Sequence, residues 1–378
     1  MASVNIIKFL DKYIGSLLCL FLSINKIFSH KKIKYEKILV IQLWGIGETI
    51  LTLPAIEALR NQYKKSNIDI LATERNKEIY YKNRCINNVK VLKLNPVSIE
   101  LFILKNLRKY DLVIDMEEYL NTSSIIAFFT GKERIGYSQG IRSNLYTKKI
   151  DYNDKQHVVY TFLDLLRPLG IKNAVDRLPK LNYSSNDKKN IDNLLKKYSI
   201  GKKDFLVGFG VGAAESAKSR MWPKERFAKL ADYLIKKYRA KIVLIGNDEE
   251  KKLIEQLQDL MENKKSSFNA AGLINTREMF YLISLCKLFV GNDSGPMHVS
   301  TAQGVTTIGL FGCNLPVRFG PFGKNNYSIY KKNTQDACIN VHKGHVGECR
   351  HGTENACVKK IQVDDVIQLV DNIRGKRK

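Results

Sequence analysis

Residues 288–312 read LFVGNDSGPMHVSTAQGVTTIGLFG. An apolar, β-branched run stops at Asp293, Ser294-Gly295-Pro296 opens a helix, and a second apolar run follows at 305–312. An acid or hydroxyl at the N-cap, with proline in the first turn, starts a helix because the first N–H groups there lack intrahelical partners. A helix that begins at the carboxyl end of a strand offers those N–H groups to an anion. Gly295 lets the backbone approach a phosphate, and His298 sits one turn in, within reach of the same anion. An ordinary βα turn with His298 packed in the core is the other reading of these residues.

The same alternation extends on both sides. Upstream lie FLVGFGVG (205–212), a helix from Lys224 to about Tyr238, KIVLIG (241–246), a helix to about Met261, FNAAG (268–272) and a helix over Thr276–Cys286. A first series runs through KILVIQL (37–43), a helix near Thr49–Tyr63, IDILAT (68–73), VKVLKL (89–94) and DLVIDM (111–116). Short β-branched runs separated by helical stretches predict parallel sheets covered on both faces. The polar stretch Asn182–Asp204 is expected to hold one helix and the linker between two doubly wound, Rossmann-like domains, 38–190 and 200–362, facing a cleft. Residues 363–378 add an amphipathic helix, expected to pack across the domain junction, and a basic tail.

Three further constellations carry chemistry. LWGIGETILTLPAIEALR (43–60) places Gly45 and Gly47 in a tight loop and Glu48 at a helix start, as a general base or as a capping acid. Its glycines do not complete a GxGxxG dinucleotide fingerprint. GVGAAESAKSRMWPKERF (210–227) puts Lys218 and Arg220 in a small-residue loop, either as cations for a leaving diphosphate or as solvated surface charge. Asp248 and Glu249 follow a strand, where acids take ribose hydroxyls or cap helices. Acceptor contacts are expected from Glu117, Glu118, Tyr119, Tyr137, Ser138 and Arg142.

Composition narrows the class. The chain of 378 residues is 44% apolar and carries 62 Lys and Arg against 37 Asp and Glu, a net +25. It can bury a large core and calls for an anionic partner. The basic residues are spread along the chain and no nucleic-acid motif is present, so a nucleic-acid binder is disfavoured. Seven cysteines are too dilute for a disulfide scaffold. Cys338, His342, His345, Cys349, His351 and Cys357 raise the question of zinc, but without a CxxC pair, and no metal site is expected.

Residues 1–37 form a segment of their own: the apolar run Tyr13–Ile24 between Lys12 and Lys26, with seven Lys against Asp11 and Glu36. Twelve residues span ~18 Å as a helix, short of the ~30 Å hydrocarbon core. An apolar or amphipathic interfacial helix, a helix docked on the protein's own surface, or a processed signal all fit the run.

The order ILVIQLWGIGETILTLPAIEALR, RMWPKERFAKLADYL, GNDSGPMHVSTAQG, LFGCNLPVRFGPFG resembles glycosyltransferase family nine, the ADP-heptose:lipopolysaccharide heptosyltransferases, over roughly residues 38–375. The resemblance implies a GT-B fold and an inverting, metal-independent transfer of heptose from ADP-heptose, as substrate and with no cofactor, to a lipid-linked core acceptor. It places the donor diphosphate on Asp293, Ser294, Gly295, Pro296, Met297 and His298, and the ribose-binding acid on Asp248 or Glu249. It makes Glu48 the base, where the family usually has Asp, and puts Arg220, with Lys218, at the leaving group. It implies a cytoplasmic enzyme on the anionic inner-membrane surface. Two alternatives stay open: transfer of another nucleotide-activated sugar in O-antigen or capsule assembly, and a catalytically degenerate, membrane-associated interaction protein.

Overall fold

Ile38, Leu39, Val40 and Ile41 are all fully buried, which only the centre of a sheet covered on both faces allows. In the computed structural model, which describes residues 9–24, 34–172, 174–213, 215–331, 338 and 356–375, this strand is β1 (Lys37–Ile41). It is joined by β2 (Asn67–Ala72), β3 (Asn88–Val91), β4 (Tyr110–Asp115), β5 (Gly131–Tyr137) and β6 (Lys148–Ile150). The spatial order is β3-β2-β1-β4-β5-β6, and every pairing is parallel.

A second sheet holds β7 (Leu206–Gly210), β8 (Lys241–Ile245), β9 (Ser267–Asn269), β10 (Leu288–Asn292), β11 (Thr307–Phe311) and β12 (Tyr327–Tyr330). Its order is β12-β11-β10-β7-β8-β9, again parallel throughout. Counted from its own first strand this is the same 3-2-1-4-5-6 wiring, the doubly wound order whose direction reverses between the first and fourth strands. The chain thus holds two parallel-sheet α/β units of one topology.

The units divide after Val175, upstream of the stretch Asn182–Asp204 in which the linker is expected. The helix Ser185–Lys197 is no tether: the Ser184–Asp187 capping box starts it, and Arg277 and Tyr281 bond to its Asp187 and Asp192 at 3.0 and 2.8 Å. The helix Val363–Gly375 sends Val366, Val370 and Ile373 into the second unit's own core, with Trp222 and Leu230. Each fully buried side chain of this size contributes about 1.5–3 kcal/mol. Residues 9–24 are helical, with Asp11–Gly15 widened to a π-helix. Among the described residues no helix is long and apolar enough to cross a membrane.

Candidate functional site

In open sheets of this order ligands bind beyond the carboxyl ends of the strands, at the reversal point. In the first unit the loop after β1 lies there. Gly45 takes φ +68°, and a methyl group on it would fall 1.9 Å from Glu48 Oε2, so only glycine lets the Glu48 carboxylate lie over the loop. Glu48 is half-buried in the first turn of the helix Ile46–Gln62.

That loop is held from two sides. Asn76, fully buried after β2, donates through Nδ2 to Gln42 O at 2.8 Å and to Thr49 Oγ1 at 2.9 Å, while Thr73 Oγ1 donates to Leu43 O at 2.9 Å. From the β4 side, Glu117 Oε1 accepts from Leu43 N at 2.5 Å and Trp44 N at 2.9 Å. Beneath it, Arg142 pairs with Asp115 at 2.7 Å and donates to Glu117 O at 2.6 Å, and Tyr146 and Ser123 hydroxyls donate to Asp115 Oδ2 at 2.6 and 2.7 Å.

These residues change the expected acceptor set. Glu117, Tyr137 and Arg142 are buried. Arg142 is spent on the ion pair and Glu117 on the loop, while the Tyr137 hydroxyl donates to Thr161 O at 3.2 Å. Glu118 is also buried and accepts from the Tyr152 hydroxyl at 2.6 Å, and half-buried Ser138 donates to Asp151 at 2.6 Å. Tyr119 is half-buried, beside Glu48 and Glu117 in the charges it feels.

Burial, with the Asp115 charge adding to it, pushes the Glu117 carboxyl from 4.5 up to about 8, against the pull of the two N–H donors and Arg142. The folded chain holds this proton more tightly than the unfolded chain. The stability it confers is therefore full below about pH 4.5 and is lost as pH rises through about 8. Glu117→Gln keeps the oxygen acceptor and removes the titration. Wild-type Tm is expected to fall by several degrees relative to this variant between about pH 5 and 8; parallel profiles in differential scanning fluorimetry would refute the assignment.

In the second unit, fully buried Asn292 ends β10 and straps the two loops at the reversal point. Its Oδ1 accepts from Trp222 N at 3.0 Å and its Nδ2 donates to Val211 O at 2.6 Å. Arg220 Nη1 pairs with Asp293 Oδ2 at 3.2 Å, and Asn314 Nδ2 donates to the same oxygen at 2.8 Å. Lys218 is exposed on the same loop. Ser294 is extended at the start of the helix Gly295–Ala302, Pro296 lies in the first turn, and Ser294 Oγ is buried without a hydrogen-bond partner. Met297 is in the core, where a methyl on Gly309 would fall 2.7 Å from its sulfur, and His298 is buried as well. The structure therefore brings Arg220, Asp293, Ser294, Gly295 and Pro296 together, while Met297 and His298 lie within the helix's buried face.

Asp248 and Glu249 are both exposed beyond β8. Glu250 is the acid that turns inward: it accepts from Asn247 N at 2.9 Å, and a methyl on Gly212 would fall 1.8 Å from its Oε1. Burial raises this carboxyl, with the Asn247 N–H opposing. A run of three acids after a strand signals this position without telling which faces in. Of the cysteine and histidine cluster, Cys338 and Cys357 are buried, and His342, His345, Cys349 and His351 lie outside the described residues.

Residues 103–346 match the model of glycosyltransferase family 9 (heptosyltransferase). The chain is 26% identical over 356 residues to lipooligosaccharide heptosyltransferase 2 of Haemophilus ducreyi, covering 89% of this chain and 99% of that one. Among solved structures it is similar to a glycosyl transferase family 9 protein from Veillonella parvula, at a TM-score of 0.79 and 22% identity over 91% of this chain and 99% of that one. It is also similar to the E. coli ADP-heptose lps heptosyltransferase II, at 0.72 and 19% over 90% and 99%. With two α/β units of one wiring and the family's motifs in order along them, a match over this span makes the chain a member of glycosyltransferase family 9, the heptosyltransferases.

Proposed function

We propose that the chain transfers heptose from ADP-heptose to a lipopolysaccharide core acceptor, with inversion and without a metal. The observation that carries this reading is the contrast between the two reversal points: the first unit presents a carboxylate over a glycine loop, the second a cation beside an uncapped helix N-terminus. The first suits proton removal from an acceptor hydroxyl, the second a departing diphosphate. The names of the relatives, lipooligosaccharide heptosyltransferase and ADP-heptose lps heptosyltransferase, supply the sugar, nucleotide and acceptor.

In this reading Glu48 takes the proton of the acceptor hydroxyl, whose oxygen attacks the anomeric carbon as the C–O bond to the diphosphate breaks. Arg220, held by Asp293, and Lys218 take up the negative charge that develops on the leaving group, together with the N–H groups that follow Ser294. Arg220 suits this because its planar fork matches phosphate oxygens. Glu250, by its inward turn, is a better partner for the ribose than Asp248 or Glu249. With charge neutralisation supplied by side chains, no step calls for a divalent cation.

The test is thermal shift of the purified chain with ADP, UDP and GDP, then transfer from ADP-heptose to heptose-deficient lipopolysaccharide in EDTA, read by mass spectrometry. At a hundred times its Kd, ADP is expected to stabilise by about 2.7 kcal/mol, and EDTA to leave the rate unchanged. Preference for another nucleotide and sugar would favour the O-antigen or capsule reading, and the absence of any shift would sink the donor assignment.

A further inference from the structure

The helix over residues 9–24 is amphipathic in the reverse sense for a protein surface. Asp11, Gly15 and Cys19, one helical stripe at i, i+4 and i+8, are buried against the first unit, and they are polar or small. The large apolar side chains point away: Leu17, Phe21 and Ile24 are 67, 64 and 76% exposed, and Phe9, Tyr13 and Ile14 are exposed beside them. Contiguous apolar surface of this kind marks an interaction site.

The orientation is fixed by a latch. Asp11 carboxylate oxygens accept from Asn121 N at 2.9 Å, Thr122 N at 2.7 Å and Thr122 Oγ1 at 2.6 Å, capping the helix Asn121–Thr130. Asn121 Nδ2 donates back to Asp11 O at 2.9 Å and to Ser16 Oγ at 3.1 Å. A methyl on Gly15 would fall 2.8 Å from Asn121 Cβ, so the two helices touch along their backbones. The apolar face is outward because its opposite is bonded down.

We propose that this face seats in the interfacial layer of an anionic lipid bilayer, the helix lying in the membrane plane. Sixteen residues reach only about 24 Å, less than the ~30 Å needed to span the hydrocarbon. The one acid on the helix is consumed in the latch, which leaves Lys12 as its exposed charge, with Nζ 5.5 Å from the Tyr13 ring. Residues 1–37 hold seven Lys against Asp11 and Glu36, the complement of an anionic headgroup layer. A second copy of the chain would bring the same lysines face to face.

The inference deepens the proposed acceptor. The latched helix starts where the β4 loop ends, and that loop carries Glu117, which holds the Glu48 loop. The proposed lipid-facing helix and the proposed base are thus both tied to the carboxyl end of one sheet, at its central strands β1 and β4.

The test is flotation of the full-length chain with vesicles of phosphatidylethanolamine and phosphatidylglycerol, against phosphatidylcholine alone. Wild type is expected to float with the anionic vesicles, and Leu17→Glu/Phe21→Glu to lower the bound fraction about tenfold or more. High salt is expected to weaken binding. Wild type left in the lipid-free fraction, undiminished binding by the double variant, or a lipid-free dimer that the double variant dissolves would each overturn the proposal. Both positions are exposed, and ADP thermal shift of the double variant reports the fold. Loss of ADP binding by wild type would count against the donor assignment alone, since flotation needs no nucleotide.

Discussion

Glu48→Gln is expected to lower kcat about 10²–10⁴-fold, the range of a positioned general base, while the shift in Tm caused by ADP stays as in wild type. The amide has the size and hydrogen-bonding reach of the carboxylate but cannot accept the proton, so chemistry suffers without loss of donor binding. Its seat is defined: Glu48 Oε2 occupies the space that a side chain at residue 45 would need. Glu48→Asp restores the acid the family usually has, on a side chain one methylene shorter, and is expected to retain measurable transfer. Single-turnover kinetics with saturating donor separate the step from product release. A Gln variant with wild-type kcat would place the base elsewhere, or show that this carboxylate only caps its helix.

The second large effect is on stability. Arg142→Met is expected to destabilise the first unit by about 3–5 kcal/mol, because it leaves Asp115 buried without its counter-charge. Both side chains of the pair are almost inaccessible, at 3 and 0%. The Tyr146 and Ser123 hydroxyls still donate to Asp115, which softens the loss without cancelling it. Replacing both members, as Arg142→Met with Asp115→Leu, is expected to recover part of the loss, since the pair's desolvation cost goes with it. Urea denaturation followed by tryptophan fluorescence measures this, Trp44 lying on the loop that Glu117 holds. A single variant within about 1 kcal/mol of wild type would mean that the site relaxes to admit water.

Much of the architecture was legible because buried parallel strands are written in short, mostly apolar and β-branched runs. KILVI, NIDILA, LVGFG, KIVLI and LFVGN all declare themselves this way, and each is a strand. The strands absent from that reading are β5, β6 and β12. β5 carries Lys132, Glu133 and Arg134, of which Arg134 is buried by donating to the carbonyl of Leu145 at 2.7 Å. β6 and β12 are sheet edges of three and four residues, β6 carrying two lysines and β12 (YSIY) too short a run to stand out from the loop around it.

The candidate site was legible where local chemistry announces it, as at the Gly45–Glu48 loop and the helix start Ser294-Gly295-Pro296. It was illegible where a residue's role depends on what the fold brings to it. Asn76 is an ordinary loop residue until β2 lies beside β1, and Glu117 passed for an acceptor contact until its carboxyl met Leu43 N and Trp44 N. The three acids 248–250 needed the structure to distinguish Glu250 from its neighbours.

The shared wiring of the two units gives the Asp11 latch a further meaning. The helix Asn121–Thr130 follows the fourth strand of the first sheet, as Gly295–Ala302 follows the fourth strand of the second. At the first, the backbone N–H groups of Asn121 and Thr122 receive a carboxylate from the chain itself. The second starts without a side-chain cap and is the start we assign to a phosphate. On that assignment one anion position serves twice, with a tethered carboxylate in the first copy and a diffusing phosphate in the second. In that proposal the N-terminal helix is to the first unit what a nucleotide would be to the second: a guest held by its negative end, with its remaining surface turned outward.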